Sequence, residues 1–76
     1  MKLTDIRVGE KGRVLDYRSG NFSYRQKLLA MGLTPGVLFE VIRVAPLGDP
    51  VQLFVRGSFI SLRKKESDDL LVEKML

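Results

Sequence analysis

The sequence predicts a mainly β fold, a small and partly open barrel of about five short strands with one short α-helix at about 23–31. Three observations lead to this prediction. Apolar and polar residues alternate along several stretches, and glycine and proline divide the chain into short segments. A single segment combines helix-forming residues with signals for a helix start and a helix end. Closing so small a sheet into a barrel also protects its edge strands.

The N-terminal part of the chain predicts one strand between two turns. We expect a short edge segment at 4–8, a turn at 9–12 and a first strand at 13–17. The glycines, Gly12 among them, are expected at turns. The polar segment 18–22 contains glycine and asparagine, which are typical of loops, so it is expected to lead into the helix.

The helix segment 23–31 carries signals at both ends. Ser23 and Gln26 have the spacing of a capping box, in which a hydroxyl and an amide satisfy free backbone N–H groups. The residues that follow are good helix formers without β-branched side chains. Gly32 is expected to end the helix in the left-handed conformation, and Leu33 to fold back against it.

The second half of the chain predicts the other strands. Pro35 and Gly36 fit the centre of a type II turn, because proline fixes φ and glycine accepts a positive φ. Further turns are expected at 46–50 and 57–58, and 64–69 is expected to be a polar turn with at most one turn of helix. Short strands with tight turns are typical of an SH3-like barrel. The remaining strands are predicted at 37–45, 51–56, 59–62 and 70–73.

Length and composition indicate a single domain over 1–76 and argue against catalysis. The chain has no cysteine and no histidine, so the commonest ligands of zinc and ferrous iron are missing. Glu66, Asp68 and Asp69 either hold a hard cation or, as we expect, form a solvated turn beside the basic run 63–65. A hydrolytic triad would lack its usual base. We therefore expect no metal site, no cofactor and no catalytic residue, and hence a binding module that is not an enzyme.

Hydropathy and charge bear on the compartment and the partner. No apolar run approaches the ~20 residues of a membrane span. The charged N-terminus lacks the apolar core of a signal peptide. The chain is therefore expected to be cytoplasmic and not inserted in a membrane. Its net charge of +4 suits a nucleic acid, an acidic protein surface or anionic lipid, or is simply that of a basic solvated surface.

Adjacent leucines on the predicted helix make its surface a candidate for partner binding. Leu28 and Leu29 lie about 100° apart around the helix axis, so they cannot both point into one narrow core. Two outcomes stay open. One leucine is exposed beside Arg25 and Lys27, or both are buried between the sheet and a loop. These four residues are candidate partner-binding residues.

Two further candidate surfaces come from the second half of the chain. Phe54 and Phe59 each lie on the strand face opposite their apolar neighbours, so the two rings share an outer face if the strands pair. Together with Arg56 they would form a protein-binding patch, unless barrel curvature or the N-terminal segment covers them. Leu47, in the turn at 46–50, is a candidate exposed anchor, although turn geometry alone accounts for its neighbours.

Three segments together resemble a known family: RQKLLAMGLTPG at 25–36, VIRVAPLGDPV at 41–51 and ISLRKKE at 60–66. Their order and spacing are similar to those of the FeoA family, over about 4–73. FeoA proteins are small cytosolic proteins of bacterial ferrous iron transport with an SH3-like fold. They accompany FeoB, a membrane transporter with a cytosolic G-protein domain. The resemblance implies a non-enzymatic accessory protein or regulator of Fe(II) uptake that binds the cytosolic part of a FeoB-like transporter.

An alternative function is that of a basic small barrel that binds nucleic acid. Phe54, Phe59, Arg56 and Arg63 are the one set of residues suited to it. We favour the transporter and expect no nucleic acid as a partner. A polyproline-binding SH3 domain is disfavoured, because the chain has no tryptophan. Self-association stays open, since the apolar end at 75–76 and an exposed strand edge would both support it.

Overall fold

The structure, a computed structural model, describes residues 1–18 and 20–75. Ser19, in the predicted loop 18–22, and Leu76, in the predicted apolar end, lie outside the described residues. The described residues contain two α-helices, α1 (Phe22–Ala30) and α2 (Lys64–Asp68), with single 3-10 turns at Leu3–Asp5 and Pro46–Gly48. The strands are β1 (Lys11–Tyr17), β2 (Leu38–Val44), β3 (Val51–Val55), β4 (Ser58–Leu62) and β5 (Leu70–Met75).

The described strands form one antiparallel sheet in the order β4-β3-β2-β1-β5. The prediction of a mainly β fold with five strands and a short helix is confirmed. The pairing register shifts in β1 between Val14 and Asp16, and in β2 between Val41 and Arg43. Bulges of this kind bend a strand and increase its twist, which allows a small sheet to curl around one core.

The core lies on the concave side of the sheet and receives side chains from α1 and the N-terminal segment. Alternate residues of β3 are buried, as the alternation of apolar and polar residues predicts. Tyr17, Met31, Val37 and Ile60 pack against the core from its rim. The buried apolar residues are Leu3, Ile6, Val14, Leu28, Leu33, Phe39, Val41, Val51, Leu53, Val55, Leu62, Leu70 and Val72.

Gly12 lies inside β1, where it faces Phe39 and Ile6. The prediction that it belongs to a turn is wrong. A Cβ atom built on Gly12 would stand 2.5 Å from the Phe39 ring and 2.6 Å from the Ile6 side chain. Glycine is therefore needed here because two core side chains occupy the space of a side chain, not because the backbone turns.

The N-terminal segment differs from the edge segment predicted at 4–8. Leu3–Asp5 forms a 3-10 turn, and Leu3 and Ile6 are buried in the core. The preceding residue, Lys2, forms an isolated bridge to Leu71, so this segment covers the outer edge of β5.

Helix α1 begins one residue before the predicted start, and the predicted capping box at Ser23 is not the cap. The N-cap is Asn21, whose side-chain oxygen accepts the backbone N–H of Tyr24 at 3.1 Å. Asparagine is among the most favourable N-cap residues, and it supplies the cap two residues before the serine.

The predicted end of the helix is confirmed. Gly32 has φ +87°, and the backbone N–H of Leu33 donates to the carbonyl of Leu28 at 3.0 Å. Leu33 is fully buried, so the chain folds back onto the helix as a Schellman motif requires. Gly36 follows with φ +92°, as the predicted type II turn demands.

The acidic segment around α2 is buried, and the expectation of a solvated turn is wrong. Glu66 and Asp69 are both buried. The Glu66 carboxylate accepts the backbone N–H of Arg63 at 2.9 Å and forms an ion pair with Lys27 of α1. Ser67 is also buried, and its hydroxyl donates to the carbonyl of Lys64. This segment therefore connects α2 to α1.

Within residues 1–18 and 20–75, no three His, Cys, Asp or Glu side chains are grouped so as to hold a metal ion. The helices of the same residues are all too short or too polar to cross a membrane.

Candidate partner-binding site

Phe54 and Phe59 form an exposed aromatic pair. They are directly opposite each other in β3 and β4, and their ring centroids lie 5.0 Å apart at an interplanar angle of 56°. Phe54 is 37% exposed and Phe59 61% exposed. The prediction that the two rings share an outer face is confirmed, and neither barrel curvature nor the N-terminal segment covers them. A tilted pair at this distance is a favourable aromatic geometry.

The same surface includes a residue that sequence reasoning missed. Leu38 of β2 is more than half exposed and borders a shallow depression together with Phe54 and Arg56. Its alternation with buried Phe39 was the signal that could have placed it on the outer face. We call Leu38, Phe54, Phe59 and Arg56 the aromatic face.

Arg56 connects the aromatic face to the end of helix α1. Its guanidinium donates to the Thr34 hydroxyl at 3.0 Å, and its side chain lies beside Gly32. Arg56 and Gly57 both have positive φ, 50° and 81°, which is the pattern of a type I′ turn. The hairpin therefore holds a cation at the depression that Phe54 borders.

The adjacent leucines of α1 have different environments. Leu28 is fully buried in the core, so it is withdrawn from the candidate partner-binding residues. Leu29 is 38% exposed and remains a candidate, which agrees with the outcome in which one leucine is exposed. The helix also exposes Phe22, which is 69% exposed and was not singled out from the sequence.

The two cations of α1 have intramolecular contacts. The Arg25 guanidinium lies 5.5 Å from the centre of the Tyr17 ring. Burial raises the pKa of the Tyr17 hydroxyl, which donates to the carbonyl of Leu33 at 2.8 Å. Lys27 pairs with Glu66, so much of its charge is neutralised within the molecule. Neither cation is part of the aromatic face.

The ion pair between Glu66 and Lys27 has a structural role, because its surroundings keep the Glu66 carboxyl charged. Burial raises the pKa of Glu66, but the Lys27 ammonium and the backbone N–H of Arg63 lower it by more. The pKa of this carboxyl therefore lies below its ordinary value, and the group stays charged at neutral pH.

Leu47 is separate from the aromatic face and is the most exposed large apolar residue described. It lies in the loop between β2 and β3 and is 99% exposed. Its φ of 67° is left-handed, a conformation that is unfavourable for a leucine. The structure thus presents a free apolar side chain at a strained position, which keeps Leu47 a candidate anchor.

A five-stranded antiparallel sheet of described residues, curled around one core, is the architecture of a small SH3-like domain. The FeoA domain model matches residues 1–74. The chain therefore belongs to the FeoA family, which is linked to ferrous iron transport.

Three similar proteins illustrate this relationship. A fusion of Fe(2+) transport protein A with the Fe(2+) transporter FeoB, from Porphyromonas gingivalis, is 29% identical over 73 residues. These residues are 96% of this chain but 8% of the fusion protein. The solution structure of a FeoA-like protein from Clostridium acetobutylicum matches with a TM-score of 0.88 and 34% identity, covering 100% of this chain and 87% of that one.

The third is Stenotrophomonas maltophilia FeoA, described as a prokaryotic SH3 domain protein and crystallised with zinc. It has a TM-score of 0.81 at 20% identity, and the match covers 96% of this chain and 89% of that chain. At this identity the likeness concerns the fold alone, and it confirms the SH3-like prediction.

Proposed function

We propose that this chain is a non-enzymatic accessory protein of bacterial ferrous iron uptake, which binds the cytosolic part of a FeoB-like transporter. One observation carries the proposal: a homologue that aligns with 96% of this chain is joined to FeoB in a single polypeptide. A covalent link holds two domains at an effective concentration in the millimolar range, so it favours surfaces that bind each other. The protein acts in the cytoplasm, without a cofactor and without insertion in the membrane.

The aromatic face is the surface that we assign to this contact. Aromatic residues and arginine are enriched in protein interfaces, and Phe54, Phe59 and Arg56 stand together on the open side of the sheet. Leu29 and Leu47 lie outside this face and are candidates for a second contact. Arg25 and Lys27 have partners within the molecule, so we assign them a smaller part.

An NMR titration tests the proposal. The purified cytosolic region of FeoB from the same organism is added to the isotope-labelled chain, and amide signals at 38, 54, 56 and 59 are expected to shift. Phe59→Ser should weaken binding at least tenfold, as expected for an interface anchor worth more than about 1.4 kcal/mol. Phe22→Ser is the matched control, because Phe22 is a similarly exposed phenylalanine on α1.

The outcomes separate the partner from the surface. If no signal shifts at high concentrations of both proteins, the proposed partner is wrong. If Phe22→Ser weakens binding and Phe59→Ser does not, the partner is right but the docking surface lies on α1.

The positive charge of the β3–β4 hairpin and of the residues that follow it favours nucleic acid binding as a second candidate function. The segment 50–65 contains four basic and no acidic residues beside two exposed phenylalanines. Against it, the Phe54 and Phe59 rings pack on each other, and Arg63 lies 3.7 Å from the Asp49 carboxylate. Titration with a single-stranded oligonucleotide at 50 and 200 mM salt tests it, because phosphate binding weakens steeply with salt.

A further inference from the structure

Strand β4 is an open edge of the sheet. In the part of the chain that the structure describes, β4 pairs with β3 alone, and it ends the strand order. Proteins usually protect such an edge with a lysine, a proline or a bulge within the strand. The sequence SFISL of β4 contains no proline or charge, and its pairing with β3 is regular. The edge is therefore geometrically ready to pair with another strand.

The hairpin register shows which backbone groups face outward. Val55 and Ser58 flank the two-residue turn, where a type I′ hairpin closes with a hydrogen-bonded pair. Hydrogen-bonded and non-hydrogen-bonded pairs alternate along antiparallel strands. The next pair, Phe54 with Phe59, is therefore non-hydrogen-bonded, as is the pair that contains Ser61. The backbone N–H and C=O groups of Phe59 and Ser61 thus point away from β3.

The segment of the chain that contains β4 is basic. The segment 50–65 contains Arg56, Arg63, Lys64 and Lys65 and no acidic residue. The other nine basic residues of the chain are balanced by its nine acidic residues, so this segment carries the entire net charge of +4. No ion pair between described residues involves Arg56, Lys64 or Lys65. Both ends of β4 are therefore flanked by cations that remain available to a partner.

We propose that β4 binds an extended, acidic segment of a partner protein as an additional strand of the sheet. Main-chain hydrogen bonds to Phe59 and Ser61 supply affinity, and the side chains of the added strand lie beside the Phe59 ring. Acidic residues at the ends of the segment complement Arg56 on one side and Lys64 on the other. The inference rests on the proposed function for the identity of the partner, and it adds how that partner binds.

A second copy of this chain fits the edge less well. When β4 pairs antiparallel with β4 of a second copy, Arg56 of one copy lies next to Arg63 and Lys64 of the other. Like charges placed opposite each other in a sheet are destabilising. The charge distribution therefore favours an acidic strand from another protein over self-association.

Amide hydrogen exchange in the complex tests the added strand. With the cytosolic region of FeoB bound, exchange of the Phe59 and Ser61 amides is expected to slow at least tenfold relative to the free chain. Ser61→Pro should weaken binding at least tenfold without disturbing the β3 ladder, because the lost N–H points outward. Ser61→Ala keeps that N–H and should bind within twofold of the unchanged chain.

Each result has a distinct meaning. If the complex forms while the Phe59 and Ser61 amides exchange as in the free chain, strand addition is overturned and the proposed function stands. If Ser61→Pro fails to fold, the exchange measurement on the unchanged chain still decides. Failure to form any complex overturns both. If these amides become protected as the concentration of the chain alone rises, the edge binds a second copy and not an acidic strand. If they become protected on adding a single-stranded oligonucleotide, the edge binds a nucleic acid instead.

Discussion

The two outer edges of the sheet, β5 and β4, differ in almost every physical respect. At β5, the N-terminal segment pairs with the strand, and the Met1 carbonyl accepts the N–H of Val72 at 2.9 Å. Leu3, in the same segment, is fully buried in the core. At β4 no described strand pairs with the outer edge, and the side chains of Phe59 and Ser61 face solvent.

Under the proposed function, we expect the covered edge to contribute mainly to stability and the open edge mainly to binding. The covered edge contains buried apolar residues, and Glu66 beside it is neutralised by Lys27. The open edge contains exposed aromatic rings, a residue with positive φ at Arg56 and unpaired cations. Substitutions on the covered side should therefore change folding, whereas those on the open side should change binding. The predictions below test this contrast, beginning with the largest effect.

Truncation of one apolar residue at each edge gives the largest expected difference. Leu3→Ala should lower the free energy of unfolding by about 2–5 kcal/mol, because it leaves a cavity in the core. Phe59→Ala should lower it by about 1 kcal/mol or less, because it removes a cross-strand contact at an exposed site. Urea denaturation of both variants measures this. Equal losses would show that the open edge is as important for folding as the covered one.

The Glu66 pair provides a pH-dependent test of the covered side. Glu66→Gln should lower the free energy of unfolding at pH 7 by about 1.5–3 kcal/mol, as expected for a hydrogen-bonded charged group. The folded-state pKa of Glu66 lies below 4.5, so its contribution is present above pH 4.5 and is lost as pH falls through the folded-state pKa. Urea denaturation from pH 7 to 3 should show the two proteins converging at low pH. A constant difference would mean that the charge of Glu66 contributes nothing.

Local sequence signals predicted the features that depend on neighbouring residues. The alternation in β3 placed its buried face correctly, and Gly32 marked the end of α1. The short connection after β3 placed Phe54 opposite Phe59 on one outer face. Each of these features follows from side-chain period, turn geometry or helix-ending chemistry, which are properties of a few consecutive residues.

Features that depend on contacts between distant parts of the chain could not be predicted. The orientation of α1 on the sheet decided that Leu28 is buried and Leu29 exposed, and its two leucines alone do not specify that orientation. Gly12 is explained by Phe39 and Ile6, which approach it from other elements. Glu66 is buried because Lys27 neutralises it across the fold.

Leu47 offers a smaller effect with the opposite sign. A left-handed conformation costs a non-glycine residue about 1–2 kcal/mol. Glycine also makes the unfolded chain more flexible, and this entropy offsets about 0.4–1 kcal/mol of the stability gained by relieving the strain. Leu47→Gly should therefore stabilise the protein by about 0.5–1 kcal/mol. Leu38→Gly is the matched control. Leu38 is an exposed leucine of β2 without a positive φ, so this substitution should destabilise the protein.

Thermal unfolding followed by circular dichroism measures both leucine variants, and the FeoB titration then shows whether Leu47 is an anchor. If the Leu47→Gly protein is more stable but binds more weakly, the strained conformation of the loop serves to present the Leu47 side chain to the partner. Stabilisation with unchanged binding would remove Leu47 from the candidate residues.

The smallest expected effect separates charge from conformation at the open edge. Asparagine accepts the left-handed conformation of a type I′ turn better than lysine, and both substitutions lose the guanidinium bond to Thr34, so Arg56→Asn should be more stable than Arg56→Lys by about 0.3 kcal/mol. Arg56→Asn also removes a cation from the end of β4 and should slow association with the FeoB cytosolic region, with a weaker dependence on salt. Arg56→Lys keeps the charge and the unfavourable φ, so it should associate at the original rate. If both variants associate equally slowly, the bond of the Arg56 guanidinium to Thr34, rather than its charge, is what the partner requires.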